Sequence, residues 1–238
     1  MPSVLKHLPL AASSLSFLVL SGCVAEVGTS GPTRTETRSV ELDKSELVRV
    51  ELKMGAGELM VRGGSPHLMD GEFTFRRASS RPDIRYDASG FRGTLRVEEP
   101  SGVHTANSRY RWDLRLNDSK PIDLQVDFGA GEGRLDLGTL SLRSVEVHMG
   151  VGELRLDLRG TPQNDYTVNL RGGVGEVTVY LPRDVGIVAS AQGGIGGVNA
   201  RGLEKRDGEY VNEAYGHAKT TVRLDIRGGI GAINLIGG

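Results

Sequence analysis

The sequence predicts an all-β protein built as a single-domain β-solenoid, with no significant helix in the mature domain. Three observations predict it. Apolar and polar residues alternate with period two in many short segments. A Gly-apolar-Gly motif recurs at a near-constant interval. The chain holds 34 glycines with only 5% aromatic residues, a balance that fits many tight corners around a thin aliphatic core.

The alternation begins near Val40. "LVRVELKM" places Val48, Val50, Leu52 and Met54 on one face and Arg49, Glu51 and Lys53 on the other. "GTLRVE", "RWDLRLN", "IDLQVDF", "SLRSVEVHM", "YTVNL", "EVTVYL" and "TVRLDI" repeat the pattern, that of half-buried strands. No stretch has the 3.6-residue period of a helix.

The motif supplies the repeat. Its glycine pairs are Gly55 and Gly57, Gly129 and Gly131, Gly150 and Gly152, Gly173 and Gly175, Gly194 and Gly196, and Gly229 and Gly231. Successive intervals are 74, 21, 23, 21 and 35 residues. A period of 21–23 fits a rung of two strands and two turns, with each glycine pair as a structural corner. The interval of 35 reads as one rung plus an insertion, and the interval of 74 as about three degenerate rungs. The small residue between the glycines (Ala56, Ala130, Val151, Val174, Ile195, Ile230) is expected to face the core at the bend. In "ELRLDL", Leu154, Leu156 and Leu158 point inward, while Glu153, Arg155 and Asp157 point outward.

The N-terminus reads as a processing signal. One cation, Lys6, precedes an apolar run from Leu8 to Leu20, too short for a comfortable membrane span. Leu20-Ser21-Gly22-Cys23 resembles the bacterial lipobox, which implies cleavage before Cys23 and acylation of that residue. Removing residues 1–22 takes away one Lys and no acid, moving the net charge from −1 to −2. With the only Cys lipidated, no disulfide is available. Four segments follow: 1–22 as lipoprotein signal peptide, 23–39 as flexible tether, 40–127 as an N-terminal β subdomain, and 128–238 as the solenoid repeats. Val24, rather than Asp, after the Cys implies the outer membrane if the cell has two. The expected location is the cell envelope, lipid-anchored on its extracytoplasmic side.

The near-neutral charge gives no reason to expect nucleic acid. A phosphate-cradling loop would need a following helix and usually a Lys; strands follow here. "GGVGEV", "GGIGGV" and "GGIGAI" resemble the opening of a calcium-binding β-roll repeat, but Val177, Val198 and Ile233 occupy the position its Asp requires. No two histidines among His7, His67, His104, His148 and His217 lie at ligand spacing, so no metal or other cofactor is expected. No nucleophile elbow is present and no catalytic residue is assigned. Glu132 and Glu153 sit at equivalent repeat positions near Arg134 and Arg155, which reads as an exposed salt-bridge ladder.

"MGAGELMVRGG", "RWDLRLN", "DFGAGEGRLDLGTLSLRSVEVHMGVGELRLDL", "GGVGEVTVYLPRDVG" and "YVNEAYG…VRLDIRGGIGAINL" carry a family likeness. Over roughly residues 42–236 the chain resembles the toast-rack-type bacterial proteins, related to the C-terminal domain of LiaF-like cell-wall-active-antibiotics response proteins and to the "putative adhesin" β-solenoids. The resemblance implies a stack of β-rungs and no catalytic residues. Together these observations favour a lipid-anchored structural or binding module of the envelope. Its partners would be membrane lipid, through acylated Cys23, and an envelope protein or polysaccharide. Two alternatives stay open: an accessory to a membrane histidine-kinase system, and a carbohydrate-active enzyme using cross-rung carboxylates. Tyr210 and Tyr215, in the insertion "DGEYVNEAYG", are the candidate partner-binding residues. Trp112 alternates with Leu114 and Leu116 and is expected in the core.

Overall fold

A computed structural model describes residues 32–100 and 110–238. Cys23 and the signal segment lie outside the described residues. The chain runs through fifteen strands: β1 (Arg34–Val40), β2 (Leu47–Arg62), β3 (Met69–Phe75), β4 (Asp83–Ser89), β5 (Arg92–Glu98), β6 (Arg111–Leu116), β7 (Ile122–Asp136), β8 (Leu142–Asp157), β9 (Tyr166–Leu181), β10 (Gly186–Ile195), β11 (Val198–Arg201), β12 (Glu204–Arg206), β13 (Glu209–Val211), β14 (Thr221–Ile230) and β15 (Ile233–Gly237). All belong to one open, branched sheet. Among the described residues the only helical element is a 3-10 turn at Ala78–Ser80, and no helix is long and apolar enough to cross a membrane.

A rung is one long strand bent at its glycine corner. The arm before the corner and the arm after it both turn apolar side chains into a single core. β2, β7, β8 and β9 stack in parallel, Val50 beside Leu124 and Leu124 beside Val145. Parallel neighbours normally need a long crossover. Here the bend brings the chain back over itself, so the five residues Leu137–Ser141 are enough to start the next rung. A single rung has nothing to bury its inner face against; the stack supplies it.

The stack departs from chain order at both ends. The interval of 74 residues does not hold three rungs. β2 lies directly against β7, Val48 beside Ile122 through Arg62 beside Asp136. The intervening chain forms one further rung on the other side of β2, with β5 along its first arm and β6 along its second. That rung has no Gly-x-Gly, so the motif could not reveal it. At the far end, β14 and β15 insert between β9 and the β10–β11 rung: Ile226 pairs with both Leu170 and Ala191, and Leu235 with both Val179 and Ala200. The last repeat in sequence is the penultimate rung in space. The extra residues before Thr221 carry β12, β13 and the return path this requires.

Antiparallel strands close the ends. β3 covers β6 and β1 covers β3, so residues 34–39 of the expected tether are a paired strand. Alternation is weak in "RTETRSV", whose residues are mostly exposed on an edge, and its pairing cannot be read from composition. β4 covers β5. β13 and β12 cover β10. The boundary placed between 127 and 128 falls inside β7, and both sections share one sheet. Trp112 is fully buried, edge-on to Phe73 and Tyr110 with ring centroids 5.8 Å away in each case.

Candidate functional site

The corner column recurs in every rung except that of β5 and β6, and its two glycines are required for different reasons. Gly150 has no positive φ, but a Cβ there would lie 2.4 Å from the carbonyl oxygen of Gly129 in the neighbouring rung. Gly152 has φ +134°, and its Cβ would lie 1.9 Å from the Gly131 oxygen. The first position demands close backbone approach; the second demands that and a conformation L side chains rarely adopt. The same pairing recurs up the stack, which makes the motif a building element.

The residue between the glycines does not face the core. Val151, Val174, Ile230 and Ile195 are 54%, 44%, 51% and 71% exposed. The reason is one of parity. Even-numbered residues from Val48 to Met54 point inward before the corner, and odd-numbered Leu59 and Val61 do so after it. Four residues, 55–58, separate inward Met54 from inward Leu59, where strict alternation would leave an odd number; the bend therefore shifts the phase by one residue, as a bulge does, and takes the residue between the glycines out of the core. In register, Val151, Val174, Ile230 and Ile195 form one exposed aliphatic ridge along the stack, continued by half-buried Ala130 and Ala56.

Charged columns flank the ridge. After the corner, Glu58, Glu132, Glu153 and Glu176 stack on consecutive rungs, at the ~4.8 Å spacing of paired strands. The expected salt-bridge ladder does not form. Among the described residues no ion pair joins Glu132 or Glu153 to Arg134 or Arg155; Glu58 meets Arg111 at 3.5 Å. Equal repeat positions put like beside like, Glu on Glu and Arg on Arg, a mildly destabilising arrangement. Before the corner, Lys53, Asp127, His148 and Arg171 form a mixed column. His148 points outward, its Nδ1 2.9 Å from Asp127 and its Nε2 3.3 Å from Glu146. Beside this column a shallow open groove of about 720 Å³ crosses β2, β7, β8 and β9, floored by glycine backbone and the edges of Met54, Phe128 and Met149 and bordered at the β2 end by Glu99 and Pro100.

One carboxylate is held by a specific constellation. Glu51 accepts from Arg96 Nε at 2.8 Å and from Arg49 Nε at 2.8 Å. The hydrogen bond from Arg96, reinforced by its charge, lowers the Glu51 pKa below the usual carboxylate value. This clamp ties β2 to β5. Among the described residues no group of three or more His, Cys, Asp or Glu could hold a metal ion.

The structure separates the sequence-derived candidates. Tyr210 lies on β13 against β10, partly buried, with Lys205 Nζ 5.3 Å from its ring centre. Tyr215 lies in the following turn and is 37% exposed. Both belong to the covering over the last rung's first arm. Sequence reading missed the ridge, because an apolar residue in an alternating segment is assigned to the core unless the phase change at the corner is counted.

Family comparison agrees with this architecture. The model for the N-terminal domain of toast_rack matches residues 29–180, and that for the C-terminal domain of the cell wall-active antibiotics response protein LiaF matches residues 130–235. A search of curated proteins found no match. A crystal structure described as a "putative cell adhesion protein" from Clostridium sporogenes is similar at 34% identity, covering 87% of this chain and 100% of that one, with a TM-score of 0.83. A "putative adhesin" from Bacteroides fragilis matches at 12% identity over 86% of this chain and 97% of that one, with a TM-score of 0.34, too low to carry a structural argument. The family match spans well over half of the chain and the bent-rung stack is the same architecture, so the chain belongs to the toast-rack family.

Proposed function

We propose that the chain is a lipid-anchored, non-catalytic module of the cell envelope that presents its stacked β-faces to an envelope protein or polysaccharide. The observation that carries this reading is the repetition of one surface at strand spacing. Rigid columns of identical side chains suit an extended partner with its own repeat. The similarity to the Clostridium sporogenes protein, described as a cell adhesion protein, and the LiaF-like match favour an envelope role. The stacked carboxylates lie on the exposed outer face rather than as a buried, unequal pair, which disfavours the glycosidase alternative. Anchoring rests on Leu20-Ser21-Gly22-Cys23, and two or more acyl chains would hold the chain stably where one would not.

The test is co-sedimentation with isolated cell envelopes. Single changes Glu132→Gln, Glu153→Gln, Asp157→Asn and Glu176→Gln should each alter binding by no more than about twofold, as rim charges do. Tyr210→Ala combined with Tyr215→Ala should cost about tenfold or more if they anchor the partner, with folding checked by circular dichroism. One carboxylate whose loss abolishes activity in a folded protein would replace this reading with catalysis. A Cys23→Ser chain that still sediments with membrane in the absence of partner would refute the anchor.

A further inference from the structure

Taking the anchoring at Cys23 proposed above as its starting point, we propose that the far end of the ridge, at Ile230 and Ile195, rests in the surface of the bilayer that holds the anchor. The corner edge then lies along the membrane, with lipid at one end and isoleucine at the other.

Two gradients run along this edge in the same direction. The first is apolar size. Half-buried Ala56 and Ala130 stand on β2 and β7, Val151 and Val174 on β8 and β9, and Ile230 and Ile195 on the last two rungs. Ile230 is 51% and Ile195 71% exposed. The second is charge. Two residues beyond each ridge position stand Glu58, Glu132, Glu153 and Glu176, and then Ala232 and Gly197. The carboxylates, which are costly to take out of water, stop where the isoleucines begin. On the other flank Gln192, Arg227 and Arg171 are in register. Both arginines reach Asp225, at 3.4 Å and 3.9 Å. Exposed aliphatic side chains with basic residues on one flank and no carboxylate on the other make a surface suited to a lipid interface.

The point where the tether joins the fold identifies the occupant. β1 opens with Arg34 opposite Phe75; the next pairs inward, Thr74 with Arg111 and Arg111 with Glu58, reach the corner. The chain therefore enters the fold level with the corner edge, not at the opposite turns. Ten residues, 24–33, separate Cys23 from Arg34, a reach of at most about 35 Å. From β1 to β10 the sheet crosses eight strand spacings, about 38 Å. The lipid pins the β1 end, and the largest apolar side chains stand at the end that the lipid does not pin. The ridge is also the outside of a bend, a convex shape that a deformable bilayer surface accommodates. The contact is too small to hold the chain without its anchor. With the anchor in place it becomes intramolecular, at an effective concentration on the order of millimolar.

The test couples the Cys23 thiol of the mature chain, residues 23–238, to a maleimide-bearing lipid in phosphatidylcholine vesicles. The vesicles also contain a phospholipid with a photoreactive diazirine in its acyl chain. After illumination and tryptic digestion, lipid adducts are counted on 184–201, which holds Ile195, and on 228–238, which holds Ile230. The internal control is 86–92. It holds Phe91, which is 63% exposed but lies beside Leu47, at the end of the rungs away from the corner. The two ridge peptides should carry about tenfold more adduct than the control. Ile195→Asp combined with Ile230→Asp should bring them down to the control level, with the thermal melt unchanged. Adducts on the ridge no more abundant than on 86–92 would assign the ridge to a protein partner or a second copy and overturn the proposal. Insensitivity to the double substitution would overturn it as well. Chemical coupling stands in for the acyl chains, so neither outcome depends on acylation in the cell. The mass of the chain recovered from membranes decides that question separately.

Discussion

The three central rungs, β7, β8 and β9, follow one another in the chain and in space, whereas both ends of the stack are assembled out of order. In the centre, each rung needs only the one before it. At the ends, the chain must also cover inner faces that no further rung will bury. β3 and β1 do this over β6, and β13 and β12 over β10, while β11 has β15 on one side and, among the described residues, no strand on the other. The two regions therefore rest on different physics: repetition in the middle, specific side-chain contacts at the caps.

The largest expected effect comes from the end whose order is reversed. A chain ending at Lys219 loses β14 and β15, which lie between β9 and the β10–β11 rung. Buried Val222, Leu224, Ile226, Ile233 and Leu235 go with them. At ~1.5–3 kcal/mol for each buried side chain, the loss rivals the ~5–15 kcal/mol stability of a domain. Circular dichroism should show no cooperative melt. A chain that merely loses its last repeat and melts within a few degrees of the parent would mean that rungs stack in chain order.

Smaller effects separate a covered end from an uncovered one. Asn212 is buried in the β10 cap; its Oδ1 accepts from the Ile187 amide at 2.9 Å and its Nδ2 donates to the Val185 carbonyl at 2.7 Å. Asn212→Ala leaves those groups unpaired and should cost about 1–3 kcal/mol in a urea melt. Asn199, on exposed β11, donates to Asn234 at 3.0 Å, and Asn199→Ala should cost no more than about 0.5 kcal/mol. Equal costs would show that β11 is as well covered as β10.

The smallest effect belongs to the central columns. Glu153 stands between Glu132 and Glu176. Glu153→Gln removes one of the stacked like charges and should leave stability unchanged or raised by up to about 0.5 kcal/mol. The gain should shrink with added salt, which screens exposed charges. A loss exceeding 1 kcal/mol would place an unseen favourable contact on that carboxylate.

The same contrast governs what was legible in the sequence. Central rungs were readable because Gly129, Gly150 and Gly173 recur at near-constant spacing and alternation sorts Leu154, Leu156 and Leu158 inward. The rung of β5 and β6 was not, since it lacks the corner motif. The place of Gly229 between Gly173 and Gly194 was not, because a period counts rungs without ordering them. Residues 34–39 were hidden by polar composition, and pairing on a sheet edge requires little apolar content. At the corner, the glycines were correctly identified as scaffold, but the phase change between Met54 and Leu59 placed their neighbours on the outside. The ridge that this produces is the surface with the clearest unassigned role.

The account's central claim is that each corner needs its glycines inside and presents its apolar residue outside. Thermal denaturation of Gly152→Ala and Val151→Ser tests it most directly. Gly152→Ala adds one methyl group where φ is +134° and a carbonyl oxygen lies 1.9 Å from the new atom; it should cost about 4 kcal/mol or more. Val151→Ser removes apolar bulk from a side chain that is 54% exposed and should change stability by no more than about 0.5 kcal/mol. The reverse order, with the valine change the more damaging, would return Val151 to the core and contradict the claim.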